Sequence, residues 1–127
     1  MERFLLVSFA GALGTGTRYL IGLGAVRFIG DAWPYGTLAV NLIGCFLMAA
    51  VLTYATAASD FSPTLRITLT TGFMGGLTTY SAFNWETTKL YADRGPLPGS
   101  LYIAMTLGGC LAMGLLGAWF ARRFIAP

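Results

Sequence analysis

The chain has 127 residues, of which 56% are hydrophobic and only 10% charged, with a net charge of +3. A water-soluble domain carries about 25% charged residues, so this composition excludes an ordinary soluble fold. There is no histidine, so the usual general base and the commonest metal ligand are both missing, and the small, dispersed positive charge excludes nucleic-acid binding.

Four long apolar runs predict four membrane-spanning helices, since a bilayer core takes about 20 apolar residues per helix. They cover residues 4–29, 35–57, 65–91 and 97–125, and together they make one transmembrane domain over residues 1–127. The first run begins almost at Met1. It is longer than a signal-peptide core and no polar segment follows it, so it reads as a span. The breaks carry turn signals: Gly30-Asp31-Ala32-Trp33-Pro34, Ser59-Asp60-Phe61-Ser62-Pro63 and Asp93-Arg94-Gly95-Pro96-Leu97-Pro98. Pro34, Pro63 and Pro98 suit the first turn of the helix that follows. Trp33, Tyr35, Trp85, Tyr91 and Trp119 fall towards span ends, as interfacial aromatics do.

In the first span, Arg18 lies about 22 Å along the helix at 1.5 Å per residue. An ionisable group at that depth either snorkels to the headgroups or faces a water-filled vestibule. In the second span, Thr37 and Asn41 are four residues apart and form a polar strip on one helix face. An amide in that setting needs partners; it is either glue between helices or a donor on an ion path.

The third span reads Thr70-Thr71-Gly72-Phe73-Met74-Gly75-Gly76-Leu77-Thr78-Thr79-Tyr80-Ser81 at its centre. One reading is packing, with Gly72 and Gly76 as a GxxxG contact and threonine hydroxyls bonded back to their own helix. The favoured reading is a helix break, because Gly-Gly followed by Thr-Thr is poor helix material for two turns. Unwound backbone at that depth must be buried in protein or line a cavity, where its carbonyls can hold a cation. Glu86, near the end of the span, is expected to pair with a basic group or cap a helix. Cys45 and Cys110 are far apart in sequence and read as buried small hydrophobes.

The loop charges are almost balanced. Arg3, Arg66, Arg122 and Arg123 fall on one side of a four-span topology, and Arg27, Lys89 and Arg94 on the other. Orientation normally follows an excess of Lys and Arg on the cytoplasmic side, so four against three permits insertion both ways and an antiparallel homodimer.

Three blocks carry a resemblance. They are Gly14-Thr15-Gly16-Thr17-Arg18-Tyr19, Trp33 through Gly44, and Thr71 through Glu86. Together they resemble the Fluc (CrcB) family of fluoride channels, and the likeness extends to length and span number. It implies an all-α membrane protein of four transmembrane helices, the third broken near its middle, paired as an antiparallel, dual-topology dimer. Its activity would be passive export of fluoride across the cell inner membrane, with no enzymatic step. Its cofactor would be a structural sodium ion at the dimer centre, held by the backbone carbonyls of Gly75 and Thr78. The pore would be lined by Asn41, Tyr80, Ser81, Phe83 and Thr106, with Arg18 and Thr37 at the vestibule. The partners would be fluoride, the lipid bilayer and a second copy in opposite orientation or a homologous subunit.

Three positions depart from the family pattern. Tyr80 stands where phenylalanine is commoner, Ala82 where threonine is common, and Cys110 where serine or threonine hydroxyls are offered, leaving Thr106 and Tyr102 in that span. Two rival classes remain open. A small dual-topology proton-coupled multidrug exporter needs a carboxylate deep in the membrane, and Glu2 and Glu86 both sit near span ends. A non-conducting membrane subunit would need neither the break nor the polar strip.

Overall fold

The computed structural model describes residues 1–125. Every regular element among them is helical: α1 (Glu2–Phe28), α2 (Tyr35–Ala57), α3 (Pro63–Ile67), a π-helical stretch (Thr68–Met74), α4 (Gly75–Leu77), α5 (Tyr80–Arg94) and α6 (Pro96–Phe120), which runs on into π-helical turns over Ala121–Ile125. Three segments are long and apolar enough to cross a membrane: Glu2–Phe28, Tyr35–Ala57 and Pro96–Phe124. The third apolar run is two half-helices, Pro63–Leu77 and Tyr80–Arg94, separated at Thr78 and Thr79.

The half-helices begin with side-chain caps. Ser62 accepts a hydrogen bond from the Leu65 amide at 3.3 Å, with Pro63 in the first turn where its missing N–H is harmless. Thr79 does the same for the Ala82 amide at 3.3 Å. Pro34 precedes α2 rather than entering it, and Pro96 with Pro98 opens α6. The turn from α5 to α6 passes through Gly95 at φ 87° and ψ −178°, a conformation essentially confined to glycine.

Glycines set the distances between helices. The first half-helix lies along α1 with Gly72 and Gly76 facing it. A Cβ at Gly76 would overlap the Gly11 carbonyl, and one at Gly72 would lie 2.8 Å from both the Ala10 methyl and the Val7 carbonyl. From the other side, a Cβ on Gly14 would overlap the Phe73 carbonyl. Gly36 packs on Gly22 between α1 and α2, and Gly117 on the Phe46 carbonyl between α2 and α6. Such close approach lets dispersion contacts hold helices together where lipid supplies no hydrophobic drive.

The placement of the break differs from the sequence expectation. Gly75 is helical, at φ −62° and ψ −36°, and Gly76 stays within α4. Only Thr78 (φ −83°, ψ 156°) and Thr79 (φ −152°, ψ 118°) are extended. Gly72 and Gly76 form the packing face towards α1, so the packing reading holds for them, and the unwinding is left to the β-branched threonines. The hydroxyls of Thr68, Thr70 and Thr78 do bond back to carbonyls four residues earlier.

The interior is small. Phe83, Leu90 and Tyr102 form its buried cluster, flanked by Trp33, Leu38 and Ile103. Much of the outside is apolar: Phe4, Phe9, Leu20, Phe28, Leu111 and Leu115 are each more than 65% exposed. A soluble monomer rarely shows apolar surface on this scale; a protein whose solvent is lipid does. This is a membrane protein of several apolar helices.

Candidate functional site

The break is built by three helices meeting at two residues. In an unbroken helix the Thr79 amide would donate to the Gly75 carbonyl. It donates instead to Asn41 Oδ1 at 2.8 Å, while Asn41 Nδ2 donates to the Thr79 carbonyl at 3.1 Å. One side-chain amide therefore satisfies both backbone groups of the unwound residue. Asn41 is 7% exposed, where an unpaired amide would carry a large desolvation penalty. Gly44, one turn further along α2, leaves room for the Thr78 methyl, which a Cβ there would overlap.

Arg18 reaches the same place. Its Nη1 donates to the Thr78 carbonyl at 3.2 Å. This ties the guanidinium to backbone that the break exposes. The Gly75 carbonyl has lost its helical partner, and Gly75 is exposed. The two carbonyls that the resemblance assigns to a cation are thus in different states, one free of its helical bond and one already accepting from Arg18. Both are hard, neutral oxygens suited to a hard cation, and a carbonyl has a second lone pair to offer. Two oxygens from one chain do not enclose an ion, so such a site is complete only with oxygens from elsewhere.

On the α6 side of the bundle, Glu86 joins three helices. Its Oε1 accepts from the Thr37 hydroxyl at 2.6 Å and its Oε2 from the Tyr102 hydroxyl at 2.8 Å. The expected basic partner or helix-capping role is not what the structure contains: a half-buried carboxylate is held by two neutral hydroxyls. Thr37 belongs to this junction, and so does Tyr102, which is fully buried. Sequence reading undervalued Tyr102. The signal available was a hydroxyl-bearing aromatic in an apolar helix, which needs a hydrogen-bond partner when buried.

Between α2, α6 and the break runs an open groove of about 640 Å³. Asn41, Thr79, Tyr80, Phe83, Thr106 and the two cysteines are on its walls. Tyr80 is 74% exposed. Phe83 is buried between two rings, 5.5 Å from that of Tyr80 and 5.4 Å from that of Tyr102 between centroids. Ser81 is exposed beyond the break, its hydroxyl 3.2 Å from that of Thr79. Among the described residues the buried Thr106 hydroxyl makes no hydrogen bond of good geometry, although the Tyr102 hydroxyl lies near it. Buried hydroxyls are nearly always partnered, which sets this one apart from the other polar groups of the groove. The structure thus brings Asn41, Tyr80, Phe83 and Thr106 to one groove, sets Ser81 at its edge, and gathers Arg18, Gly75 and Thr78 around the break.

Cys45 and Cys110 correct the sequence reading. They are free thiols, as expected, but each is half-exposed rather than buried, and they meet across the α2–α6 contact.

Comparison with known proteins shows the family. The family model described as CrcB-like protein, Camphor Resistance (CrcB), matches residues 5–118. Curated relatives include three proteins named fluoride-specific ion channel FluC. That of Sorangium cellulosum is 47% identical over 126 residues, covering 99% of both chains. That of Anaeromyxobacter dehalogenans is 43% identical over 125 residues, covering 95% of this chain and 99% of the relative. That of Rhizobium johnstonii is 40% identical over 117 residues, covering 92% and 94%. A match over nearly the whole length, on a bundle whose third apolar run is broken at a threonine pair clamped by an asparagine, places this chain in the CrcB family.

Proposed function

We propose that this chain is a fluoride-selective passive channel of the cell inner membrane, working as an antiparallel dimer that lets fluoride leave the cytoplasm. The observation that carries the reading is the groove at the helix break. It gathers neutral hydrogen-bond donors and the rings of Tyr80 and Phe83 in an apolar wall, with one donor, Thr106, making no hydrogen bond among the described residues. The names of the relatives support the choice of ion.

Fluoride is small and holds water strongly, so a pore must replace the water's hydrogen bonds. Asn41 Nδ2 has a second hydrogen beyond the one given to Thr79, and the hydroxyls of Thr106, Ser81 and Tyr80 can also donate. The ring edge of Phe83 adds partial positive charge without a full one. None of these donors is ionised, so no single point binds too tightly to release the ion. Arg18 is committed to the Thr78 carbonyl and acts on the break, outside the row of donors. No catalytic step enters this account.

The half-helices Pro63–Leu77 and Tyr80–Arg94 together make the third crossing, interrupted near its middle. In the dimer the open groove of each copy is covered by the other. The Gly75 and Thr78 carbonyls of two copies would then supply four oxygens to a structural sodium ion at the centre. The near balance of loop charges supports insertion in both orientations.

Expression in a bacterium stripped of its own fluoride exporter tests the reading. Growth in fluoride medium should be restored, and growth without fluoride left unchanged. A chain that reaches the membrane and gives no resistance overturns it.

A further inference from the structure

The groove contains a second kind of chemistry that fluoride passage does not use. Its wall carries Cys45 from α2 and Cys110 from α6, side chains close enough to interact, and Met48 lies one helical turn beyond Cys45 on the same wall. The two thiols are 65 positions apart in sequence, yet glycines force them together: Gly109 sits against Leu42, and Gly117 against the Phe46 carbonyl, on either side of the pair. Both sulfurs belong to long, continuous helices, so their separation is fixed by packing rather than by a loop. The residues lining the groove include no carboxylate, so a hard cation would find no charged oxygen there. Thiolate and thioether sulfurs are soft donors.

The structure assigns to Cys45 and Cys110 a two-thiolate site for a soft cation that accepts two-coordinate binding, namely Hg(II), Ag(I) or Cu(I), in the wall of the groove. With Hg(II) the reaction is balanced by the protein and the ion alone: two S–H bonds break, two Hg–S bonds form, and two protons leave to water. No oxidant is required. The unpartnered Thr106 hydroxyl, one turn from Cys110 on α6, faces the same space, so an ion seated between the sulfurs stands beside the row of donors. Its consequence for flux rests on the channel reading: a filled site blocks fluoride. The binding itself does not rest on that reading.

The test uses the purified full-length protein in detergent, with mercuric chloride as the probe and glutathione as a competing monothiol. Wild type should bind one Hg(II) per chain and hold it at least about a hundredfold more tightly than Cys45→Ser or Cys110→Ser, because the second thiol is presented at high effective concentration. Absorbance of the sulfur-to-mercury charge-transfer band and the intact mass report the ion. Equal retention by wild type and both single variants overturns the pair, and so does one Hg(II) shared between two chains. In liposomes, mercuric chloride should then slow fluoride release by wild type, with each variant compared against its own mercury-free rate. Tight binding to a protein that never conducts fluoride would leave the metal site standing and remove the channel reading. Tight binding with undiminished flux would remove the blocking role alone.

Discussion

Asn41 and Thr106 do opposite things with their polar atoms, and that contrast yields the sharpest predictions at the residue scale. Asn41 holds both backbone groups of Thr79. Asn41→Ala leaves a buried N–H and C=O unpaired, each costing about 1–3 kcal/mol. The melting temperature in detergent should fall, and fluoride flux with it. Thr106 makes no hydrogen bond among the described residues, so Thr106→Val removes a hydroxyl without orphaning a partner. Stability should be unchanged or rise slightly, while flux falls; a variant that conducts as fast as wild type would show that this hydroxyl is not part of the path. Legibility at this scale was uneven. Intramembrane polarity singled out Asn41, Thr37 and Arg18, since each must find a partner in an apolar medium. The partners themselves were not legible. Arg18 finds a carbonyl 60 residues away and Glu86 finds two hydroxyls, contacts fixed by helix packing that no local pattern encodes.

At the scale of elements, the break and the glycine face are neighbours with separate duties. Gly14, Gly72 and Gly76 bring α1 against the first half-helix, and Thr78 and Thr79 unwind. Gly14→Ala drives a methyl into the Phe73 carbonyl, which is backbone and cannot turn aside. The expected loss is about 1–3 kcal/mol or more, as for overpacked cores. Gly24→Ala, in the same helix but with open space around it, should be neutral. A thermal-melt comparison of the two in one detergent checks this, and equal effects would contradict the packing assignment. The existence of the break was legible from the run of glycine and threonine. Its position was not, because propensity rates glycine the weaker helix former and is overridden here by the close approach to α1.

At the scale of the whole molecule, an apolar exterior, an open groove and balanced loop charges are the features on which the proposed pairing of two copies rests. The apolar runs were legible from length and hydropathy, and among the described residues helices lie over all four of them. The groove was not, because it forms only when α2, α5 and α6 meet. Orientation gives a prediction here. Three lysines added to the 58–62 loop should bias insertion one way. Such a chain alone should conduct poorly, and co-expression with a chain carrying the lysines in the 29–34 loop should restore conduction. Full flux from the singly biased chain would contradict antiparallel assembly.

Fluoride release from liposomes containing the purified protein, followed with a fluoride electrode and with chloride as the control anion, tests the central claim most directly. The account predicts fast fluoride release with no chloride release, abolished by Asn41→Ala. Release of both anions together, or of neither from a properly assembled dimer, would contradict it.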